Sequence, residues 1–377
     1  MAKISGVYPE VGSAAFLMDD FQDPVLEDGL DGFYRVKRYN NPLRQYAYVH
    51  RYLGKMDAVE PDDIIRLAAR MVNGALPFKN PLVLGLSESS ILLGRVVCEF
   101  FGGGMFLFST RYPHDGADLV PFIEPHSHAP SQFLKLSGTG HCREVCIVED
   151  EVTTGNTIMN LVRLLAENMP SVTSIAVLAL KVFCSDRRIA EMSVDAGKLG
   201  IHLVFHSLYH GNQDESVPVM HSVISASSED GKVAPSVYST WEYGRGRIDP
   251  FSKEKALFRY KRWSAVLSCL RLPGAVTVIG ASEAIDLAFE IARVLAHCGH
   301  QTWLRHLTIS PWEVPGWIFA PSVPGTRPLH LYQPPSRGGA YIVVYDHAFQ
   351  EEQVKKLTQC LKHVGSKTHV LRGFEQC

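Results

Sequence analysis

The chain has 377 residues, 46% of them hydrophobic, which is enough for two domains that each bury a core. Its formal net charge of -2 and pI near 6.8 exclude the broadly basic face of a nucleic-acid-binding protein. The opening Met-Ala-Lys-Ile-Ser-Gly has no secretory pattern and no apolar run approaches the ~20 residues of a membrane span, so a soluble cytoplasmic chain with no membrane partner is expected. Eight cysteines include no Cys-x-x-Cys pair, and several sit inside apolar patterns such as Val97-Cys98 and Val145-Cys146. They read as reduced core thiols.

Residues 1–30 carry no strong period. From Arg38 to Lys55 bases interleave with aromatics, which reads either as a solvated face or as a hood over an anionic substrate with Arg44 and Lys55 reaching inward. Residues 61–72 show helical spacing with acids in the first turn. A short buried strand over 81–85 leads through Ser87-Glu88-Ser89-Ser90 into a helix over 91–101. Those serines offer hydroxyls and backbone N–H groups to an anion, although a simple helix cap by Ser87 would select the same residues. A second strand, 105–110, opens onto a long excursion from Arg111 to Ser131, rich in His, Pro and acids. A loop of that length is rarely mere connection. Arg111, His114 and His128 are candidates to meet negative charge there, and Glu124 to act as a base or metal contact. His126-Ser127-His128 beside Glu124 has a superficial likeness to a zinc site, but four ligands at fixed spacing are missing.

The most informative stretch is 145–157, Val-Cys-Ile-Val-Glu-Asp-Glu-Val-Thr-Thr-Gly-Asn-Thr. A buried strand ends in two acids, and a Thr/Gly/Asn turn then opens a helix. The unpaired N–H groups and partial positive charge of a helix N-terminus suit a phosphate, while Glu149 and Asp150 suit the vicinal hydroxyls of a ribose. A helix over 158–169, a strand over 174–182, a helix over 186–199 and a strand over 201–206 follow. Strands alternating with helices imply a parallel sheet whose ligand loops gather at one edge. Residues 213–250 turn polar and read as a linker between a first domain, 1–212, and a second, 251–377.

The second half echoes the first. Val276 to Glu283 repeats the pattern of 82–88, and Tyr341 to Asp346 that of 145–150, at offsets of 195 (280 minus 85) and 196 (346 minus 150). This reads as a duplicated fold, with chance similarity between two α/β halves as the alternative. Where the first copy has Thr153 to Thr157, the second has Phe349-Gln350-Glu351-Glu352-Gln353, which removes the phosphate turn.

The stretch 145–157 resembles the 5-phosphoribosyl-1-pyrophosphate (PRPP) signature of type I phosphoribosyltransferases, with Glu149 where Asp is more usual. The resemblance implies an α/β fold with a parallel-sheet core and a hood at about 31–60, followed by a smaller α/β domain. It implies that Val152, Thr153, Thr154, Gly155, Asn156 and Thr157 hold the 5-phosphate and that Glu149 and Asp150 orient the ribose. Ser87, Glu88, Ser89 and Ser90 would receive the pyrophosphate under a flap carrying Arg111, Glu124 and His128, with Arg44 and Lys55 from the hood. Mg2+ would bind mainly through PRPP, with Asp150 as its protein contact, and the ribosyl group would pass to an unidentified small molecule. A nucleotide-responsive regulator and a ribosyl-phosphate hydrolase use the same cradle and remain open. Asn41-Pro42-x-Arg44, Leu53-Gly54-Lys55, Ser109-Thr110-Arg111 and His126-Ser127-His128-Ala129 are similar to the orotate-phosphoribosyltransferase-like proteins of bacterial tellurite-resistance and stress gene clusters. In those a second domain is named for a Thr-Arg-Ser-Pro tetrapeptide, and Thr308-Ile309-Ser310-Pro311 stands in its place here. Phosphoribosyltransferases are commonly dimers, so a homodimer or an internal pseudo-dimer is implied.

Overall fold

The computed structural model describes residues 32–38, 46–73, 78–101, 105–112, 118–124, 131–211, 219–220, 253–310, 312–313, 318–319, 328–332, 339–347, 350–363 and 367–372. Arg44, His114, His126 and His128 lie outside these residues.

Strands β1 (Phe33–Arg38) and β2 (Tyr46–His50) pair antiparallel in the region read as a hood. Helix α1 (Pro61–Val72) starts on a proline, with Asp62 and Asp63 in its first turn, and buries Ile64, Ile65, Leu67, Ala68 and Met71. Strand β3 (Leu82–Gly85), helix α2 (Ser89–Phe100) and strand β4 (Met105–Phe108) form the first crossover unit. All of β3 is buried, as a strand covered on both faces requires. Within the excursion, β5 (Val120–Ile123) pairs antiparallel with β6 (Ser131–Leu134), so part of the expected flap is a two-stranded ribbon. Then come β7 (Glu144–Val152), α3 (Asn156–Asn168), β8 (Ser174–Val182), α4 (Asp186–Lys198) and β9 (His202–His210). The five core strands run parallel in the order β4-β3-β7-β8-β9.

After β10 (Val219–Met220), which pairs with β1, the second half adds α5 (Lys253–Ser268), β11 (Ala275–Ala281), α6 (Ile285–His297) and β12 (Gln301–Leu307). It continues with β13 (Trp312–Glu313), β14 (Ile318–Phe319), β15 (Leu331–Tyr332), β16 (Ala340–Tyr345), α7 (Glu351–His363) and β17 (Lys367–Arg372). Its parallel sheet has the order β12-β11-β16-β17, which reproduces β4-β3-β7-β8 strand for strand. The register repeats too: Gly85 faces Val148, and Gly280 faces Val344. Both glycines let the next helix approach closely. A Cβ on Gly85 would lie 2.4 Å from the Ser90 carbonyl oxygen, and one on Gly280 would lie 2.7 Å from Ile285 Cα.

Two separate cores do not form. The main apolar cluster runs from β3, β7 and β8 through α2 and α6 to Val276, Val278, Ile342 and Val344, while Ile279, Tyr341 and Val343 face a smaller cluster with Leu357. Where α2 meets α6, Arg95 Nη2 lies 3.4 Å from Glu290 Oε1 and Arg293 Nη1 lies 2.7 Å from Glu99 Oε2. Val59 bridges to Leu304, and β13 pairs with β1, so the second half supplies an edge strand to the hood. No helix of the described residues is long and apolar enough to cross a membrane. The described cysteines are all free of disulfides.

Candidate active site

At the C-terminal edge of the first sheet, where open α/β sheets bind ligands, a cleft opens beneath the hood. Its lining brings together Arg38, Lys55, Arg111, Glu124, Glu149 and Asp150 with the Ser87–Ser90 turn, and the second half adds Ser310 and Trp312. Lys55 is buried within this lining. Its Nζ donates to Ser89 Oγ at 2.6 Å and lies 3.8 Å from Glu88 Oε2, and burial lowers its pKa against the pull of Glu88 and Asp150.

Strand β7 continues past its apolar run to Val152, so Glu149 and Asp150 stand on strand backbone instead of in a loop. Glu149 Oε2 accepts from Ser90 Oγ at 2.8 Å and from its neighbour's N–H, Asp150 N, at 2.9 Å. Burial, then the charges of Asp150 and Glu124, push the Glu149 carboxyl well above the usual carboxylate range. Such crowding is relieved by a cation or by ligand hydroxyl donors. Glu124 is held by Arg111 Nη2 at 3.2 Å and by Gln132 Nε2 at 2.5 Å, so two expected catalytic groups form one ion pair at the wall of the cleft.

The turn after β7 is shorter than the signature alone implied. Thr153, Thr154 and Gly155 make the bend, and Asn156 and Thr157 already belong to α3. Gly155 caps the helix at φ 71°, in the left-handed region. Thr154 and Asn156 are exposed and Thr153 and Thr157 half-buried, so the turn faces outward. Val152 has its side chain in the core, leaving only its main chain for a ligand. The turn lies beyond the lining of the cleft.

The Ser87–Ser90 hydroxyls are engaged within the protein. Ser87 Oγ donates to Ser109 O or Glu283 Oε1, Ser89 accepts from Lys55, and Ser90 donates to Glu149. Ser87 does not cap α2, whose cap residue is Glu88 without a side-chain bond. Glu88 is itself turned away into a buried network. Its carboxylate accepts from Thr308 Oγ1 at 2.6 Å and Ile309 N at 3.2 Å, and lies 3.5 Å from His306 Nε2. Burial alone would raise its pKa; His306, Lys55 and Thr308 outweigh that and hold it low.

Several residues here escaped the sequence reading. Lys181 is fully buried in β8, donating to Tyr48 O of the hood and, at 3.4 Å, to Asp150 O. Its signal was a lone cation in an apolar strand. Arg188 Nε donates to Thr154 O at 3.1 Å and its Nη2 to Asn156 Oδ1 at 3.1 Å, clamping the turn after β7 from α4. Arg38 stood in a stretch noticed only for its composition. Trp312 had no local signal, because tertiary pairing of β13 with β1 brings it in, and Ser310 stood in a tetrapeptide given no part in the cleft.

In the first half of the chain, the crossover units, the acid-ended β7 and the glycine-capped α3 beneath a hood are those of a type I phosphoribosyltransferase fold. Residues 34–212 match the family model described as phosphoribosyl transferase. No curated protein matches the chain. Solved structures similar to it include the adenine phosphoribosyltransferase of Giardia lamblia complexed with 9-deazaadenine, 14% identical with a TM-score of 0.35 over 48% of this chain and 94% of that one. Also similar is the Trypanosoma brucei enzyme in complex with AMP, pyrophosphate and ribose-5-phosphate, 13% identical with a TM-score of 0.38 over 54% and 90%. The Leishmania tarentolae enzyme is 12% identical, with a TM-score of 0.36 over 50% and 86%.

Proposed function

We propose that the protein transfers ribose 5-phosphate from PRPP to a small-molecule acceptor with release of pyrophosphate, one site per chain. The observation that carries this reading is the meeting, in one cleft, of the acid pair Glu149 and Asp150 with the cations Arg38, Lys55 and Arg111. Acids suit ribose hydroxyls and cations suit pyrophosphate. In this reading Thr153 to Thr157 hold the 5-phosphate against the N-terminus of α3, and Asp150 fixes the ribose. The main chain of the Ser87–Ser90 turn, with Lys55 and Arg111, meets the leaving group. Positioning and charge stabilisation supply most of the acceleration. Arg44 and His128 are proposed to close on the same ligand.

Mg2+ fits as a ligand-borne ion. Among the described residues no three His, Cys, Asp or Glu side chains are placed to grip a metal alone, so the ion would be held mainly by the ligand's own oxygens and water. When bound, Mg2+ would neutralise charge on the departing pyrophosphate. Asp150 is its proposed protein contact.

The chain is proposed to divide into a phosphoribosyltransferase domain (1–212), a linker (213–250) and a Thr-Arg-Ser-Pro-type domain (251–377). Its setting would be cytoplasmic biosynthesis of a ribosylated metabolite of the kind associated with bacterial stress clusters. The test is incubation with PRPP, Mg2+ and candidate acceptors, following pyrophosphate release and ribosyl adducts by mass spectrometry. Asp150→Asn and Thr154→Val should abolish turnover with the fold intact; unchanged turnover refutes the assignment. Pyrophosphate release without an acceptor would indicate a hydrolase, and PRPP binding without turnover a regulator.

A further inference from the structure

Glu283 belongs to the second half and does not line the cleft, yet it holds two of the elements that do. It sits in the turn after β11, 2% exposed, beside Ser282, whose φ of 51° is in the left-handed region. Its Oε1 accepts from Arg111 N at 2.8 Å and from Ser87 Oγ at 3.0 Å, and its Oε2 accepts from Thr110 Oγ1 at 2.7 Å. Ser87 opens the turn between β3 and α2, and Thr110-Arg111 follows β4. These are separate loops of the first half, and one carboxylate spans both. Tyr112 OH, 3.3 Å from Ser282 Oγ, adds a second tie at the same place.

We infer that Glu283 is a positioning residue for the pyrophosphate end of the cleft, setting the spacing between the Ser87 turn and Arg111 from outside the first domain. A carboxylate suits the site, because Arg111 N donates to one of its oxygens and Thr110 Oγ1 to the other, with the Ser87 hydroxyl shared between Oε1 and Ser109 O. An amide presents one acceptor oxygen and two donors, so at least one buried donor loses its partner. The second half is then part of the catalytic unit even though it has no phosphate turn of its own. This inference rests on the proposed PRPP reading of the cleft.

The test compares two partial ligands on the full-length protein by calorimetry, inorganic pyrophosphate with Mg2+ and ribose 5-phosphate. The second engages the Thr153–Thr157 turn, which Glu283 does not touch. Glu283→Gln should weaken pyrophosphate binding about tenfold, because the Ser87 turn and Arg111 are no longer held at one spacing, and leave ribose 5-phosphate affinity unchanged. Thr110→Val, which removes the bond to Glu283 Oε2 and also the acceptor of Tyr112 N, should shift pyrophosphate affinity the same way, and serves if Glu283→Gln does not fold. Unchanged pyrophosphate affinity in both variants overturns the inference, as does an equal loss for both ligands, which would mark a general structural role. If the unaltered protein binds neither ligand, the site reading itself falls, and this inference with it.

Discussion

Glu88 and Glu283 make the same exchange in opposite directions. Glu88, in the first half, takes the Thr308 hydroxyl and the Ile309 N–H; Glu283, in the second, takes the Thr110 hydroxyl and the Arg111 N–H. Each glutamate follows the inner strand of its own sheet, and each partner threonine follows the outer strand of the other. With the repeated strand order, the two exchanges are reciprocal, as in an isologous contact, but made within one chain.

Breaking that contact from the Glu88 side should be costly. Glu88→Gln leaves the buried Lys55 ammonium without its nearest carboxylate, and losing one partner of a buried ion pair costs about 3–5 kcal/mol. Urea denaturation should show a lower midpoint with an unchanged slope. A midpoint within error of the unaltered protein would mean that Lys55 is neutral or rescued by Asp150.

Gly155→Ala meets two penalties. The left-handed φ of 71° disfavours a side chain, and the added Cβ would lie 2.2 Å from Met192 Sδ. Together these should destabilise by about 2–4 kcal/mol. Met192→Ala removes the clash at a core-truncation cost of its own, so in that background Gly155→Ala should lower the melting temperature by less than it does in the unaltered protein. No effect of Gly155→Ala in the Met192→Ala background would show that the backbone conformation is not strained.

Acidification should loosen the hood. Burial lowers the His50 pKa to about 3, with Lys181, Arg70 and Arg51 adding to it, and lowers His330 to about 4. Both folded values lie below the unfolded one near 6.5, so the unfolded chain takes up protons first as pH falls. The stability these neutral rings contribute is complete above ~6.5 and is lost on acidification, about 2 kcal/mol for His50 between pH 7 and 5. Glu149, with its raised pKa, works in the opposite sense. The difference between the unaltered protein and His50→Gln isolates the histidine, and parallel stability profiles for the two would exclude it.

Lys181 ties the hood to the core. Lys181→Met keeps the length but strips the donor from Tyr48 O, for a cost of about 1–3 kcal/mol. Hydrogen exchange should rise at residues 46–50 while the amides of β8 stay protected. Equal protection in both strands would show that β1 pairing alone anchors β2.

The parts of this fold that were legible in the sequence are those written by local chemistry. Buried apolar runs gave β3, β7 and β8, and Gly155 after two acids gave the turn, because strand burial and left-handed φ each select residue type at single positions. The contacts of Glu88 were not legible. A glutamate beside serines at a helix start reads as an anion-binding turn, and only the docking of the second half, through His306 and Thr308, turns it into a buried structural anion. Lys181 was missed for a related reason: alternation in a strand covered on both faces carries no sign of which side meets a distant carbonyl. The expectation of two separate cores failed because α2 and α6, amphipathic in their own halves, spend their remaining apolar faces on each other.

The matched sheets have a consequence for how this molecule can change. In a pair of identical chains any substitution at the two-fold contact strikes twice, so neither surface drifts without the other. Here each side of the handshake is encoded separately. Because the two halves belong to one chain, dilution cannot separate them.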